Sequence, residues 1–274
     1  TVVNDATRSW ATRLVGSGRL SKPQQKEGSN VTSTVRRAGA FAAVGTLSLL
    51  AAVAPAVAVA AFVAVAIGAA TITDGAAFEL FARPGDRRDE RLKGLVGFAV
   101  AAGLLGAFAA FGELPATVFV GTVVLYAYGN LVGEVARNRL GGEVFEAVGF
   151  VVGGLVAGVV GIQATAMSTD AAVLPLAEVT VLATSGALVG ALLRSILLGH
   201  DDPPVVLSVG FLLWLLSALD LGTSTPDVLV ALAVTAALGY ASYALETPSV
   251  EGMLAGVVLA FLAMVLGGYP WFVA

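Results

Sequence analysis

The sequence feature that most constrains this fold is a series of apolar stretches, several of about 18 residues or more without a charge. Such a stretch, when helical, crosses the hydrocarbon core of a bilayer, which is about 30 Å thick. A large soluble domain would interrupt these stretches with a polar face at helical spacing, and that face is missing. Of the residues 57% are hydrophobic and 12% are charged, whereas soluble domains have about 25% charged residues. We therefore predict an all-α, polytopic membrane helical bundle.

The apolar stretches predict about nine transmembrane helices, most of them joined in hairpins. Pro55 marks one tight turn and residues 113–115 mark another, because proline interrupts a helix. The predicted helices span roughly residues 38–54, 56–73, 95–112, 116–135, 145–167, 171–198, 205–220, 227–245 and 253–274. The predicted domains are a disordered polar tail over residues 1–35, an eight-helix membrane domain over 36–245, and the truncated start of a second membrane domain over 246–274.

The distribution of charge predicts how the helices are oriented. All fifteen Lys and Arg residues lie in the N-terminal tail or in even-numbered connections. The acidic residues of the odd-numbered connections are Glu113, Asp170, Asp220 and Asp227. Because positive residues are retained on the cytoplasmic side, we predict a cytoplasmic N-terminus and a multi-pass protein of the plasma membrane. The basic stretches are juxtamembrane, which excludes a nucleic-acid partner, and the absence of cysteine excludes disulfides and thiolate metal sites.

The densest run of charge, residues 74–93, follows the second apolar segment. Asp74 and Glu79 are carboxylates of the type that holds a divalent ion. If the helix continues past Asp74, Glu79 and Arg83 are four residues apart and can pair. The cations of the run suit phosphate groups and include Arg83, Arg87, Arg88 and Lys93. The alternative is a charged helix end anchored among lipid headgroups.

A second polar group follows the fourth apolar segment. Asn130, Glu134 and Arg137 are spaced to lie on one face of a helix. The group repeats the order of the first one: an acid or amide, then Glu, then Arg. It is a candidate part of the same site, and the alternative is hydrogen bonding between helices.

Two further polar residues have open interpretations. Glu178 lies within the sixth apolar segment and is either a relay for protons or substrate or a partnered carboxylate in the core. His200 begins a His-Asp-Asp turn that either binds a metal or is solvated.

Small residues recur every four positions in the later helices, and such faces let helix backbones approach closely in lipid. The pairs are Gly149 with Gly153, Gly154 with Gly158, and Gly186 with Gly190. We predict a packing role, and these glycine-rich faces are also the surfaces through which an oligomer is expected to form.

The final stretch, residues 248–272, contains a small-residue helix with Gly252 and Gly256 followed by Gly-Gly-Tyr-Pro-Trp-Phe. It resembles the opening of the domain of unknown function 92 family, which includes animal transmembrane protein 19 and plant phytyl-phosphate kinase. Residues 36–160 are similar to the dolichol and phytol kinase group. That similarity rests on Asp74-Gly with Glu79-Leu-Phe, the basic run to Lys93-Gly, and Gly-Asn130 with Glu134. Gly-Leu-Val follows Lys93, where the kinase group usually has a Lys-Ser segment.

The resemblance implies a prenyl-alcohol or prenyl-phosphate kinase that transfers phosphate from CTP or another nucleotide, with Mg²⁺, to an isoprenoid lipid at the cytosolic face. In that scheme Asp74 and Glu79 hold the metal–nucleotide complex, and nearby cations neutralise the phosphates. The implied catalytic residues are Asp74, Glu79, Lys93, Asn130 and Glu134. The implied nucleotide-binding residues are Arg83, Arg87, Arg88 and Arg137.

Two other functions remain open from the residues alone. A transporter for small molecules or lipids would have its polar groups converge near the middle of the membrane. A non-catalytic membrane scaffold is the third possibility, and the low number of polar residues in the apolar segments favours it. The depth at which the polar groups converge therefore distinguishes an enzyme from a transporter.

Overall fold

All regular secondary structure is helical in the part of the chain that the computed structural model describes, residues 24–169, 173–197, 202–219, 221–245 and 249–268. The all-α prediction is therefore confirmed. Residues 34–274 form one compact unit. The helices, in chain order, are α1 (Gln24–Gly45), α2 (Pro55–Thr71), α3 (Gly75–Phe81), α4 (Pro84–Asp89), α5 (Lys93–Phe111), α6 (Ala116–Leu140), α7 (Glu143–Ser168), α8 (Leu176–Ile196), α9 (Asp202–Ser217), α10 (Thr225–Ala244) and α11 (Val250–Gly267), and a 3-10 segment, Thr46–Ala52, follows α1.

The apolar helices coincide with the nine predicted segments. Their length and composition are those of membrane-spanning helices, so the chain is an integral membrane protein. Seven candidate spans are found in the described residues: Thr34–Ala52, α5, α6, α7, α8, α10 and α11. Helices α2 and α3 qualify only as a pair, and they are bent by 109°. The apolar part of α9, Pro203–Ser217, is shorter than a full span. Seven or eight helices thus qualify, and the count of about nine crossings stays a prediction.

The charged connection, residues 72–93, joins α2 to α5 and contains α3 and α4. The chain leaves α2 through extended residues, and Gly75 takes a positive φ of 84° that starts α3 in a new direction. The buried carboxylate of Asp86 then accepts hydrogen bonds from the backbone N–H groups of Arg83, at 3.0 Å, and Gly94, at 3.4 Å. This carboxylate therefore fixes the fold of the connection.

Glycines let α6, α7 and α8 pack closely, as predicted from the small-residue spacing. A Cβ atom added at Gly149 would lie 2.6 Å from the Cβ of Ala136, and one added at Gly153 would lie 2.5 Å from the Cβ of Val132. The remaining glycines of the three pairs, which also contact neighbouring helices, are Gly154, Gly158, Gly186 and Gly190. These glycines therefore serve packing within the chain, and an oligomer stays a prediction.

A row of aromatic rings crosses the core from α1 to α7. Phe41 contacts Phe98, which stacks on Tyr126, which in turn meets Phe150, with centroid distances of 6.1, 6.2 and 5.9 Å. An arginine covers each end of the row. The guanidinium of Arg83 lies 5.2 Å from the Phe41 ring, and that of Arg194 lies 5.6 Å from the Phe150 ring. The row therefore links the charged connection to the end of α8.

Candidate functional site

A polar cavity of about 340 Å³ opens where α6 and α8 end and α7 and α11 begin. We call it the charged cavity, and this end of the bundle the charged end. Its lining is formed by Glu134, Arg137, Glu143, Glu146, Ala147, Phe150, Ala191, Arg194, Ser195, Val250 and Glu251.

The charged cavity contains an ion-pair network that joins three helices. Arg194 of α8 donates a hydrogen bond to Glu146 of α7 at 2.6 Å and lies 3.8 Å from Glu134 of α6. Arg137 of α6 donates to the second oxygen of Glu146 at 2.9 Å. The side chains of Glu134, Glu146 and Arg194 are 16–19% exposed, so water screens these pairs weakly.

The local sequence explains why these groups meet. Gly141 and Gly142, with φ of 77° and 85°, form a tight connection that faces the last turns of α6 toward the first turns of α7. A Cβ added at Gly133 would lie 2.9 Å from the carbonyl oxygen of Glu146, so the two backbones nearly touch beside the network. Arg194 lies in the last turn of α8, where the helix dipole favours a cation.

The charges of the cavity do not balance. Its lining holds four carboxylates and two guanidinium groups, so a bare polyanion would be repelled. At the same time Nη1 of Arg194 is buried and has no hydrogen-bond partner among the described residues, so its donors are not used by the network. The arrangement suits an anion that arrives together with a cation.

Two of the predicted site residues line this cavity, namely Glu134 and Arg137. Asn130, one turn before Glu134, is half-buried and lies outside the lining. Two of the three members of the second polar group therefore line the same cavity, as their spacing on one helix face predicted.

Five of the six predicted site residues of the charged connection lie on its surface, and Arg83 is half-buried. Glu79 pairs with Arg87 at 2.8 Å, and α3 ends at Phe81, so the helix does not continue from Glu79 to Arg83. Lys93 donates to Asp89 at 2.5 Å, and this hydrogen bond lowers the pKa of the Asp89 carboxyl below its ordinary value. The site residues of the connection that are themselves exposed are Asp74, Glu79, Arg87, Arg88 and Lys93.

Arg37 of α1 lies between the two polar groups. It donates a hydrogen bond to the carbonyl oxygen of Ala82 at 3.3 Å in the charged connection. It also interacts electrostatically with Glu134, Asp86 and Arg87. The charged connection and the charged cavity are therefore neighbours at the same end of the bundle.

The residues proposed for Mg²⁺ do not form a metal site made of protein groups alone. Among the described residues there is no group of three or more His, Asp or Glu side chains that could hold a metal ion. Glu79 is already paired with Arg87, and Asp74 is exposed at the start of α3. A metal here would need most of its ligands from phosphate and water, as Mg²⁺ commonly has.

The other polar candidates lie elsewhere. Glu178 is in the first turn of α8, at the opposite end of that helix from Arg194. His200, Asp170 and Asp220 fall outside the described residues, as does the Trp-Phe motif near the C-terminus.

An apolar groove of about 620 Å³ lies beside the charged cavity, and Ala147 lines both. The groove is bounded by Val144, Phe145, Ala147, Val148, Val151, Val152 and Leu155 of α7, Thr184 and Leu188 of α8, Leu232, Thr235, Ala236, Gly239, Tyr240 and Tyr243 of α10, and Met253, Leu254 and Val257 of α11.

Sequence reasoning missed Glu146, Arg194 and Asp86 as site or support residues. Arg194 carries the one visible signal, because it is the only Lys or Arg after Arg139.

Comparisons of this chain with protein-family models, curated proteins and solved structures found no match.

Proposed function

We propose that this protein is a membrane-embedded, kinase-like enzyme that transfers phosphate from a nucleotide to an isoprenoid lipid at its charged end. The observation that carries the proposal is that the charged cavity and the apolar groove share Ala147. A lipid whose chain lies in the groove has its polar end beside the ion-pair network. The family resemblance supplies the reaction class and the nucleotide.

The reacting lipid oxygen forms a bond to the terminal phosphorus of the nucleotide, while the bond from that phosphorus to the bridging oxygen breaks and the nucleoside diphosphate leaves. Glu134 takes the proton of a lipid alcohol, because it is held more loosely than Glu146, at 3.8 Å against 2.6 Å from Arg194. Arg137 and Arg194 neutralise charge on the transferred group.

The excess of carboxylates in the cavity favours a nucleotide that brings its own Mg²⁺. Asp74 and Glu79 are the proposed contacts of that complex in the charged connection. The proposed phosphate contacts there are Arg83, Arg87, Arg88 and Lys93. Arg37 lies between this connection and Glu134, which supports one site made of both parts.

The location of the described charges favours an enzyme over a transporter. The charge network lies at the ends of α6, α7 and α8, whereas a transporter gathers its polar groups near the middle of the membrane. Inside the described candidate spans, the buried polar side chains are hydroxyls: Ser48, Thr122, Thr165, Thr184, Ser185 and Thr235.

In this proposal the protein lies in the plasma membrane with its charged end in the cytosol. The orientation follows from the basic residues, which obey the positive-inside rule. The absence of cysteine allows a clean test with single cysteines. A membrane-impermeant maleimide should label Arg88→Cys only after cells are opened, and Glu113→Cys in intact cells. The reverse pattern would invert the topology.

The activity test uses protein in phosphatidylcholine vesicles with Mg²⁺, labelled CTP or ATP, and a prenol or prenyl phosphate. We expect labelled lipid product from the wild type. With a prenol, the rate of Glu134→Gln should be at least about 100-fold lower, because a general base contributes at least about that factor. Glu178→Gln is the matched control and should leave the rate unchanged, because Glu178 lies at the far end of α8. Absence of transfer by the wild type, or full activity of Glu134→Gln, would overturn the proposal.

A further inference from the structure

We infer that the apolar groove is the binding site for the chain of an isoprenoid lipid, which reaches it sideways from the leaflet at the charged end. The inference rests on the proposed function for the identity of the lipid, and it deepens that function by naming where the substrate chain lies. Chain binding can be measured without phosphate transfer, so the two proposals can fail separately.

The length and position of the groove fit one leaflet of a bilayer. Along α7 its wall extends from Val144 to Leu155, which is about 16 Å at 1.5 Å per residue. That is about half of the 30 Å hydrocarbon core. Because Val144 is near the start of α7, the groove begins at the charged end and runs toward the middle of the membrane.

The helices leave the groove open to the lipid side. Helix α10 packs mainly on α11, and α11 packs on α8, so α7 and α10 form the two opposite walls. Val148 and Val152 on the α7 wall are 49% and 53% exposed. The rings of Phe145 and Tyr243 meet at 6.2 Å at the end nearest the charged cavity. A chain would therefore pass in from the side, between α7 and α10.

The chemistry of the walls selects a hydrocarbon chain. The polar side-chain atoms that the groove contains are the hydroxyls of Thr184, Thr235, Tyr240 and Tyr243. Thr184 already donates to the carbonyl oxygen of Thr180 at 2.7 Å. No charged side chain is among the described residues that line it, whereas the adjoining cavity is rich in charge. The boundary at Ala147 thus matches the boundary between the chain and the polar end of one lipid.

Adjacent alanines of α10 provide a matched test. Ala236 lines the groove and Ala237 does not, and both are exposed, so both positions tolerate a large side chain. The probe is a prenyl phosphate with a diazirine on its chain, present at a trace level in phosphatidylcholine vesicles. Photolabelled peptides of the wild type are located by mass spectrometry. We expect labels on α7 and α10 in the groove, lowered about tenfold by Ala236→Trp and unchanged by Ala237→Trp.

A second probe, phosphatidylcholine with a diazirine on an acyl chain, reports ordinary lipid contact. Equal loss of prenyl labelling in both variants, labels spread evenly over all outward helix faces, or equal labelling of the groove by the acyl probe would overturn the inference. Groove labelling without phosphate transfer would overturn the kinase proposal and leave the lipid site. Phosphate transfer without groove labelling would overturn the lipid site and leave the kinase proposal.

Discussion

The charged connection and the charged cavity both contain Glu–Arg pairs, but the pairs differ in exposure and in the distance between the partners along the chain. In the connection, Glu79 pairs with Arg87 over a short distance along the chain, and these side chains are more than half exposed. In the cavity, Glu146 pairs with Arg194, 48 residues away, and both side chains are less than one-fifth exposed. The first region is a solvated surface with local pairs. The second is a junction of three helices.

This difference shows that charge density along a sequence does not identify the more constrained site. Exposed pairs contribute little to stability, with typical values of about 0–1 kcal/mol, because water competes for both partners. A half-buried network cannot lose one member without leaving the other members poorly solvated. The cavity should therefore respond much more strongly to substitution than the connection.

The largest expected effect is that of Arg194→Met. The change removes the cation that Glu134 and Glu146 share and leaves two weakly solvated carboxylates near each other. We expect the free energy of unfolding to fall by about 3 kcal/mol, at the low end for breaking a buried pair. Reversible unfolding in mixed detergent micelles measures this loss.

Two companion variants make the cause of that loss specific. Arg194→Lys keeps the positive charge and should lose less, although it loses the forked geometry of the guanidinium. Adding Glu146→Gln to Arg194→Met should recover part of the stability, because it leaves one carboxylate instead of two beside the remaining cation, Arg137. A double variant as unstable as the sum of its single changes would rule out the shared-cation explanation.

A smaller effect is expected from Gly149→Ala, which tests the close packing that supports the cavity. Its new Cβ would lie 2.6 Å from the Cβ of Ala136 and 2.9 Å from the backbone oxygen of Val132, so α6 and α7 must separate. We expect a net loss of about 1–2 kcal/mol, since overpacking costs more than the gain in helix propensity. The same unfolding measurement applies.

Gly256→Ala in α11 is the control for that prediction. Apart from the backbone of its own helix and its two chain neighbours, no described atom lies within 4 Å of its added Cβ. The gain in helix propensity is therefore not offset by a clash, and stability should rise slightly. Equal effects of the two substitutions would show that close packing at Gly149 does not matter.

Much of the fold was predictable from local pattern. The apolar segments located the helices, and Pro55 marks the start of α2, because both depend on residues close in sequence. The bend of 109° between α2 and α3 was not predictable, since the hydrophobic pattern continues past Thr71 through Phe78 and Phe81. The direction of a short helix after a break depends on what it packs against.

The candidate site was predictable only in part, for the same reason. Glu134 and Arg137 share a helix face, so their spacing revealed them. Glu146 and Arg194 belong to other helices, and their meeting with Glu134 depends on the packing of glycines such as Gly133. The pairing of Glu79 with Arg83 was expected only for a helix that continues through both residues, and α3 ends before Arg83.

Arg87→Gln tests the other side of the comparison. Its partner Glu79 is exposed and keeps its hydration after the change, so the free energy of unfolding should fall by less than about 1 kcal/mol. High salt should remove most of the difference between variant and wild type. A loss as large as that of Arg194→Met would mean that the connection is as constrained as the cavity.

The smallest expected effect concerns Asp89, whose pKa is lowered first by the hydrogen bond from Lys93 and then by its charge. Lys93→Met should raise the pKa of Asp89 toward its ordinary value near 3.8, in part only, because Arg88 and Arg91 still lower it. A depressed folded-state pKa contributes stability that is present above the unfolded value and is lost as pH falls through the folded value. Any loss of stability in Lys93→Met is therefore present above about pH 4 and disappears at lower pH. Carboxyl NMR of the folded protein measures the titration, with Arg139→Met as the control that leaves it unchanged. An unaltered Asp89 titration in Lys93→Met would show that this exposed pair does not persist in solution.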